Sequence, residues 1–150
     1  MKILVPLDGS KLAESILDYV ETLARNDTQV VLLKVGVLRS IAFMTMDQSP
    51  MVYDESGDRD RITAESREYL EGLAQGLRNK GFSVNYVVAF GDPADVILDF
   101  AKSLKVDLVA MSTHGRSGIS RLLFGSVAEA VIRKSLVPVL ALSNYGKSQK

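Results

Sequence analysis

The 150-residue chain has no cysteine, one histidine and no net charge. Without cysteine there is no disulfide framework, no thiolate nucleophile and no Cys-ligated zinc. His114 stands alone, so neither a His-rich metal site nor an arrangement needing a second histidine can be assembled. Lys+Arg and Asp+Glu number 18 each. That balance argues against a nucleic-acid binder and against a polybasic membrane-surface protein, both of which carry a surplus of basic residues. No apolar run approaches the roughly 18 residues that suggest a spanning helix. The opening Met1-Lys2-Ile3-Leu4-Val5-Pro6 lacks the apolar stretch and cleavage site of a secretory signal. The expectation is a soluble, cytoplasmic protein with no membrane or nucleic-acid partner.

What is present is a core-forming composition. Hydrophobic residues make up 47% of the chain, too many for a disordered segment. A chain of this length buries about 70% of its unfolded surface and holds together without a staple. Its size is that of one domain, expected over 1–150 with 144–150 as a tail.

Apolar periodicity alternates between two modes. Ile3 to Leu7 and Val30 to Leu33, the latter running on to Val35, are short apolar runs of the kind buried on both faces of a sheet. Val84 to Ala89, Val106 to Met111 and Val137 to Leu142 complete five strands. Between them, helical stripes run from Leu12 to Ala24, from Ile62 to Leu77, from Ala94 to Leu104 and from Val127 to Lys134. Ser10 is placed as an N-cap, and Asp92-Pro93 reads as a cap followed by proline at the first helical position. Asn26-Asp27 and Lys80-Gly81 close the first two helices. This alternation predicts an α/β domain: an open five-stranded parallel sheet, doubly wound, with helices on both faces and right-handed crossovers.

Gly36 to about Asp60 interrupts the pattern as a long connection containing Met44, Met46, Met51 and an acidic run from Asp54 to Asp58. Such stretches are solvated insertions, or lids and partner surfaces in which methionines adapt to a ligand. Asp54, Asp58 and Asp60 lack the spacing of a calcium loop.

Ligands of open parallel sheets sit beyond the carboxyl ends of the strands, where strand order reverses. The turns to inspect are Asp8-Gly9-Ser10, Lys34-Val35-Gly36 and the stretch from Ser112 to Ser126. The last is the richest: small residues, hydroxyls, Arg116 and Arg121 lead into a helix at Gly125-Ser126. A helix start offers unpaired N–H groups and partial positive charge to an anion, and glycines let the backbone approach it. The plainer alternative is that Ser126 is an N-cap and the glycines are turn residues. Gly146-Lys147-Ser148 ends like a P-loop but lacks its first glycine and a following helix, and no G-x-G-x-x-G occurs.

The stretch Met111-Ser112-Thr113-His114-Gly115 through Gly125-Ser126-Val127-Ala128-Glu129 resembles the nucleotide-binding signature of the universal stress protein family, ATP-binding subgroup. The family pattern is Gly, two residues, Gly, nine residues, Gly, then Ser or Thr; Ser112 stands in place of the first glycine. Ile3 to Ser10, Gly91-Asp92-Pro93-Ala94 and Val137 to Leu140 are similar to other family segments, so the resemblance covers the whole chain. It implies a Rossmann-like fold that holds ATP with Mg or Mn. By the resemblance, Asp8 contacts the ribose and adenine side, with Pro6 and Leu7 lining the pocket. Val35 contacts adenine through its backbone, and Lys34 stands where many members carry histidine. Ser112, Gly115, Gly125 and Ser126, with His114, Arg116, Gly118 and Val127, border the phosphates.

Three functions follow from this reading. The first is a stress-response signalling module whose ATP occupancy alters a surface read by an unidentified protein partner. The second is a nucleotide-free dimeric interaction protein, kept open by Ser112. The third is a slow ATPase, for which arginines are present but no base to position a water is evident. The resemblance also implies a homodimer through the last strand (Val137, Val139, Leu140, Ala141, Leu142); the alternative is that this strand is only a short sheet edge.

Overall fold

The computed structural model describes residues 1–25, 27–38, 55–113 and 125–143. Along the chain come β1 (Lys2–Leu7), α1 (Lys11–Glu14), α2 (Ile16–Leu23), β2 (Gln29–Gly36), α3 (Glu55–Asn79), β3 (Ser83–Phe90), α4 (Pro93–Ser103), β4 (Leu108–Ser112), α5 (Ser126–Lys134) and β5 (Val139–Leu142). All strands are parallel, in the order β3-β2-β1-β4-β5. The expected single α/β domain with a five-stranded parallel sheet is what the chain forms.

Alternation along the strands divides the core in two. Ile3, Val5, Leu7, Val30, Leu32 and Val84 face α1–α3, against Ala13, Ile16, Val20, Leu70, Ala74 and Leu77. Leu4, Val31, Leu33, Val109 and Met111 face α4 and α5, against Ala94, Ile97, Ala101, Ala128 and Val131. Burying each large aliphatic side chain contributes about 1.5–3 kcal/mol, so the two covered faces explain why the strands read as continuous apolar runs. The register from Lys2↔Gln29 to Leu7↔Lys34, continued by β3, brings the ends of β1, β2 and β3 level at one edge. From β1 the chain winds outward to β3, then returns to lay β4 on the other side of β1. Strand order therefore reverses between β1 and β4.

The caps fall where the sequence puts them. Ser10 Oγ accepts the Ala13 N–H (3.1 Å), and the Asp92 carboxylate accepts the Asp95 N–H (3.1 Å) ahead of Pro93. Gly81 ends the α3 turn at φ +92°, a conformation that favours glycine.

Three local expectations need correction. The connection after Gly36 does not extend to Asp60, because α3 begins at Glu55. Its first turns have no apolar stripe; instead Arg61 pairs with Asp58 (3.4 Å) and Glu65 (3.2 Å) along the helix face. The stripe from Leu12 to Ala24 is two helices broken at Ser15, whose Oγ donates to the Leu12 carbonyl (2.6 Å). Hydroxyls bonded back to a preceding carbonyl in this way bend helices. The second helix ends at Leu23, ahead of Asn26-Asp27, where Ala24 turns extended. Residues 39–54 and the 144–150 tail lie outside the described residues.

Candidate functional site

A cleft of about 940 Å³ opens at the strand ends where order reverses. Its floor is the end of β1 with the following turn (Pro6, Leu7, Asp8, Gly9), the end of β2 (Leu33 to Val37) and the end of β4 (Met111, Ser112, Thr113). α4 and the start of α5 wall one side through Pro93, Ile97, Gly125, Ser126, Val127 and Ala128. α1 and α3 wall the other through Ala13, Ile62, Ser66 and Tyr69, with Glu65 at the rim.

Each wall is positioned by local bonds. Gly9 takes φ +90°, which lets the chain leave β1 in a tight turn. Across that turn Asp8 Oδ1 accepts from the Ser10 N–H (2.8 Å) and Ser10 Oγ (2.6 Å), fixing the carboxylate at the cleft floor. Lys34 Nζ donates to the Asp8 carbonyl (3.2 Å) and lies 5.6 Å from the centre of the Tyr69 ring. The ammonium thus ties the β1 turn to β2 and α3.

At the β4 end, the Thr113 N–H donates to the Leu142 carbonyl (2.9 Å), and its own carbonyl accepts the Gly125 N–H (2.6 Å). Gly125 is the cap residue of α5, in extended backbone, and Ser126 is the first helical residue. The expectation of Ser126 as a possible cap shifts by one position. The Gly125 carbonyl accepts the Glu129 N–H (2.9 Å), the first bond of the helix. The N–H groups of Ser126, Val127 and Ala128 consequently have no acceptor inside α5 and stand at the cleft with the positive end of the helix dipole. A Cβ on Gly125 would lie 3.0 Å from the Thr113 carbonyl oxygen.

Of the residues singled out in the sequence, Pro6, Leu7, Asp8, Val35, Ser112, Gly125, Ser126 and Val127 line this one cleft. His114, Gly115, Arg116 and Gly118 lie outside the described residues. The sequence reading missed the α3 wall. Ile62, Ser66 and Tyr69 recur at spacings of four and three, and this face continues the Leu70–Ala74–Leu77 core stripe past the sheet's end. It also missed Thr113, which is 1% exposed and clamps β4 to α5 and β5. Among the described residues no group of three or more His, Asp or Glu side chains is placed to hold a metal ion. No helix among them is long and apolar enough to cross a membrane.

A model of the universal stress protein family matches residues 1–143. Universal stress protein MJ0577 of Methanocaldococcus jannaschii is 29% identical over 94% of this chain and 93% of its own. A solved MJ0577 structure superposes with a TM-score of 0.82 over 97% of this chain and 96% of that one, at 30% identity. Universal stress protein YxiE of Bacillus subtilis is 32% identical over 93% of this chain and 96% of its own. A family protein of Arabidopsis thaliana, solved with AMP bound, shares the fold at 19% identity (TM-score 0.68, covering 100% of this chain and 95% of that one). The chain belongs to the universal stress protein family.

Proposed function

We propose that the protein is an ATP-binding stress-response module whose nucleotide occupancy alters a surface read by a protein partner in the cytoplasm. The observation that carries the nucleotide reading is the cleft at the strand-order reversal, which joins the Asp8 turn to the open N–H groups of α5. Its volume of about 940 Å³ lies in the range of small-molecule and cofactor sites. The AMP-bound structure supports an adenine nucleotide as something this fold accommodates.

The residues fit such a ligand from end to end. Phosphates would take the N–H groups of Ser126, Val127 and Ala128, with Ser112 beside them and Gly115, His114, Arg116 and Gly118 in the adjoining stretch. The Gly125 N–H is already used on Thr113, so the role of this glycine is to leave room. The ribose would meet the oriented carboxylate of Asp8, and adenine would lie against Pro6, Leu7 and the backbone of Val35. Mg or Mn would arrive on the phosphates, supplying charge neutralisation there.

Protein denatured after purification is expected to release an adenine nucleotide identifiable by chromatography. Protein stripped of it is expected to bind Mg-ATP at micromolar affinity in calorimetry. Absence of nucleotide in both experiments would sink this reading.

We also propose a homodimer through β5. Val139 to Leu142 pair with β4 on one side and form the end of the sheet order, whereas Val137, expected in this strand, lies in a bend before it. Nearby, Leu136 is 91% exposed and Ile132 is 41% exposed. A strand edge flanked by apolar side chains is a template for pairing with a second copy. Leu136→Asp leaves the core intact and is expected to weaken dimerisation about tenfold or more in sedimentation experiments, by placing like charges near the two-fold axis. A wild-type protein that sediments as a monomer at tens of micromolar would remove the dimer.

A further inference from the structure

The cleft extends beyond the residues assigned to the nucleotide above, to Lys34, Ile62, Ser66 and Tyr69. Its α3 side holds two groups that path does not use. One is the Lys34 ammonium, carried on the β2 residue before Val35. Alternation sends the two side chains to opposite faces of the sheet, Val35 toward α4 and α5 and Lys34 toward Tyr69 of α3. The other is Ser66, which is 2% exposed and lines the cleft. Its hydroxyl can donate to, or accept from, a ligand in the cleft.

Lys34 Nζ sits 3.2 Å from the carbonyl oxygen of Asp8, the residue whose carboxylate would hold the ribose. The ammonium would therefore lie beside a sugar held at Asp8, on the side of the cleft that Tyr69 of α3 lines. Its charge and donors suit phosphate oxygens as a compact point contact. Nucleotide-binding folds that accept a ribose-linked phosphate use the same device, a cation beside the acid that otherwise meets the sugar hydroxyl.

Resting on the nucleotide reading above, we propose that Lys34 and Ser66 form a second anion subsite, which takes a phosphate carried on the ribose 2′- or 3′-oxygen. The favoured ligand class is then a nucleotide bisphosphate. Its 5′-phosphates lie on α5 and its ribose phosphate lies between β2 and α3.

Calorimetry with AMP, adenosine 2′,5′-bisphosphate and adenosine 3′,5′-bisphosphate tests this. One bisphosphate isomer is expected to bind wild-type protein about tenfold more tightly than AMP, the scale of one charge-assisted contact. Which isomer wins identifies the oxygen that carries the phosphate. In Lys34→Gln the ratio of the two affinities is expected to fall to about one, Ser66→Ala to reduce it about threefold, and Lys34→Arg to restore most of it. Equal affinity for AMP and both bisphosphates in wild type overturns the second subsite and leaves the nucleotide reading standing. A ratio that survives Lys34→Gln also overturns it. If neither AMP nor either bisphosphate binds, the second subsite falls, and the Mg-ATP titration described above decides the nucleotide reading separately.

Discussion

Gly125→Val is expected to weaken Mg-ATP binding by about 100-fold, the equivalent of one or two charge-assisted hydrogen bonds. The backbone angles at Gly125 (φ −71°, ψ 156°) are open to any residue, so the effect does not come from strain. It comes from space. A Cβ there would lie 3.0 Å from the Thr113 carbonyl oxygen, which already accepts the Gly125 N–H at 2.6 Å. Valine adds two methyl groups to that contact, so either the end of β4 or the start of α5 must move. The N–H groups of Ser126, Val127 and Ala128 move with it. Overpacking of this kind costs about 1–3 kcal/mol, which leaves a protein that still unfolds cooperatively. Calorimetry on a variant shown by thermal melting to be folded makes the measurement. A folded variant with wild-type affinity would show that the phosphates do not sit on α5.

The largest loss of stability is expected from Leu70→Ala. Leu70 is 0% exposed and belongs to the core beneath the α1–α3 face of the sheet. Removing a buried leucine side chain costs the transfer free energy plus that of the cavity left behind, about 2–5 kcal/mol. For a chain of 150 residues this lowers Tm by about 10 °C. The helix register matters as well as the core. Tyr69 and Ser66 lie on the same helix, one and four residues before Leu70, so a helix that settles into the cavity takes both from the cleft wall. A loss below about 1 kcal/mol in chemical denaturation would mean α3 is not seated on the sheet as described.

The elements carrying these predictions differ in how plainly the sequence announces them. The strands are legible because a parallel sheet covered on both faces demands continuous apolar runs, and Ile3 to Leu7 and Val30 to Leu33 have no other use. Ser10 and Asp92-Pro93 are legible because caps depend on short-range chemistry. The floor of the cleft follows from topology once the strands are placed, which is why Asp8, Val35 and Ser112 meet where the turns suggested.

The start of α3 is different. Its opening turns are held by ion pairs of Arg61 with Asp58 and Glu65 and carry no apolar rhythm, so a periodicity search passes over them. The break at Ser15 was hidden for the opposite reason, since the apolar rhythm runs straight through it. Lys34 shows a third limit. Its residue type and strand are evident from sequence, but its reach to the Asp8 carbonyl and the Tyr69 ring depends on how three elements pack. The Ser66 hydroxyl reads as one more polar helix residue until the helix is set against the end of the sheet.

Amide chemical shifts recorded during a Mg-ATP titration test the placement of the nucleotide most directly, because they report position as well as affinity. The expected result is a set of saturable shifts at Gly9, Val35, Ser112, Ser126, Val127 and Ala128, the amides around the cleft. Shifts confined to the outer groove between α2 and α3, around Asp18, Gly72 and Gly76, or no saturable shift at all, would contradict it.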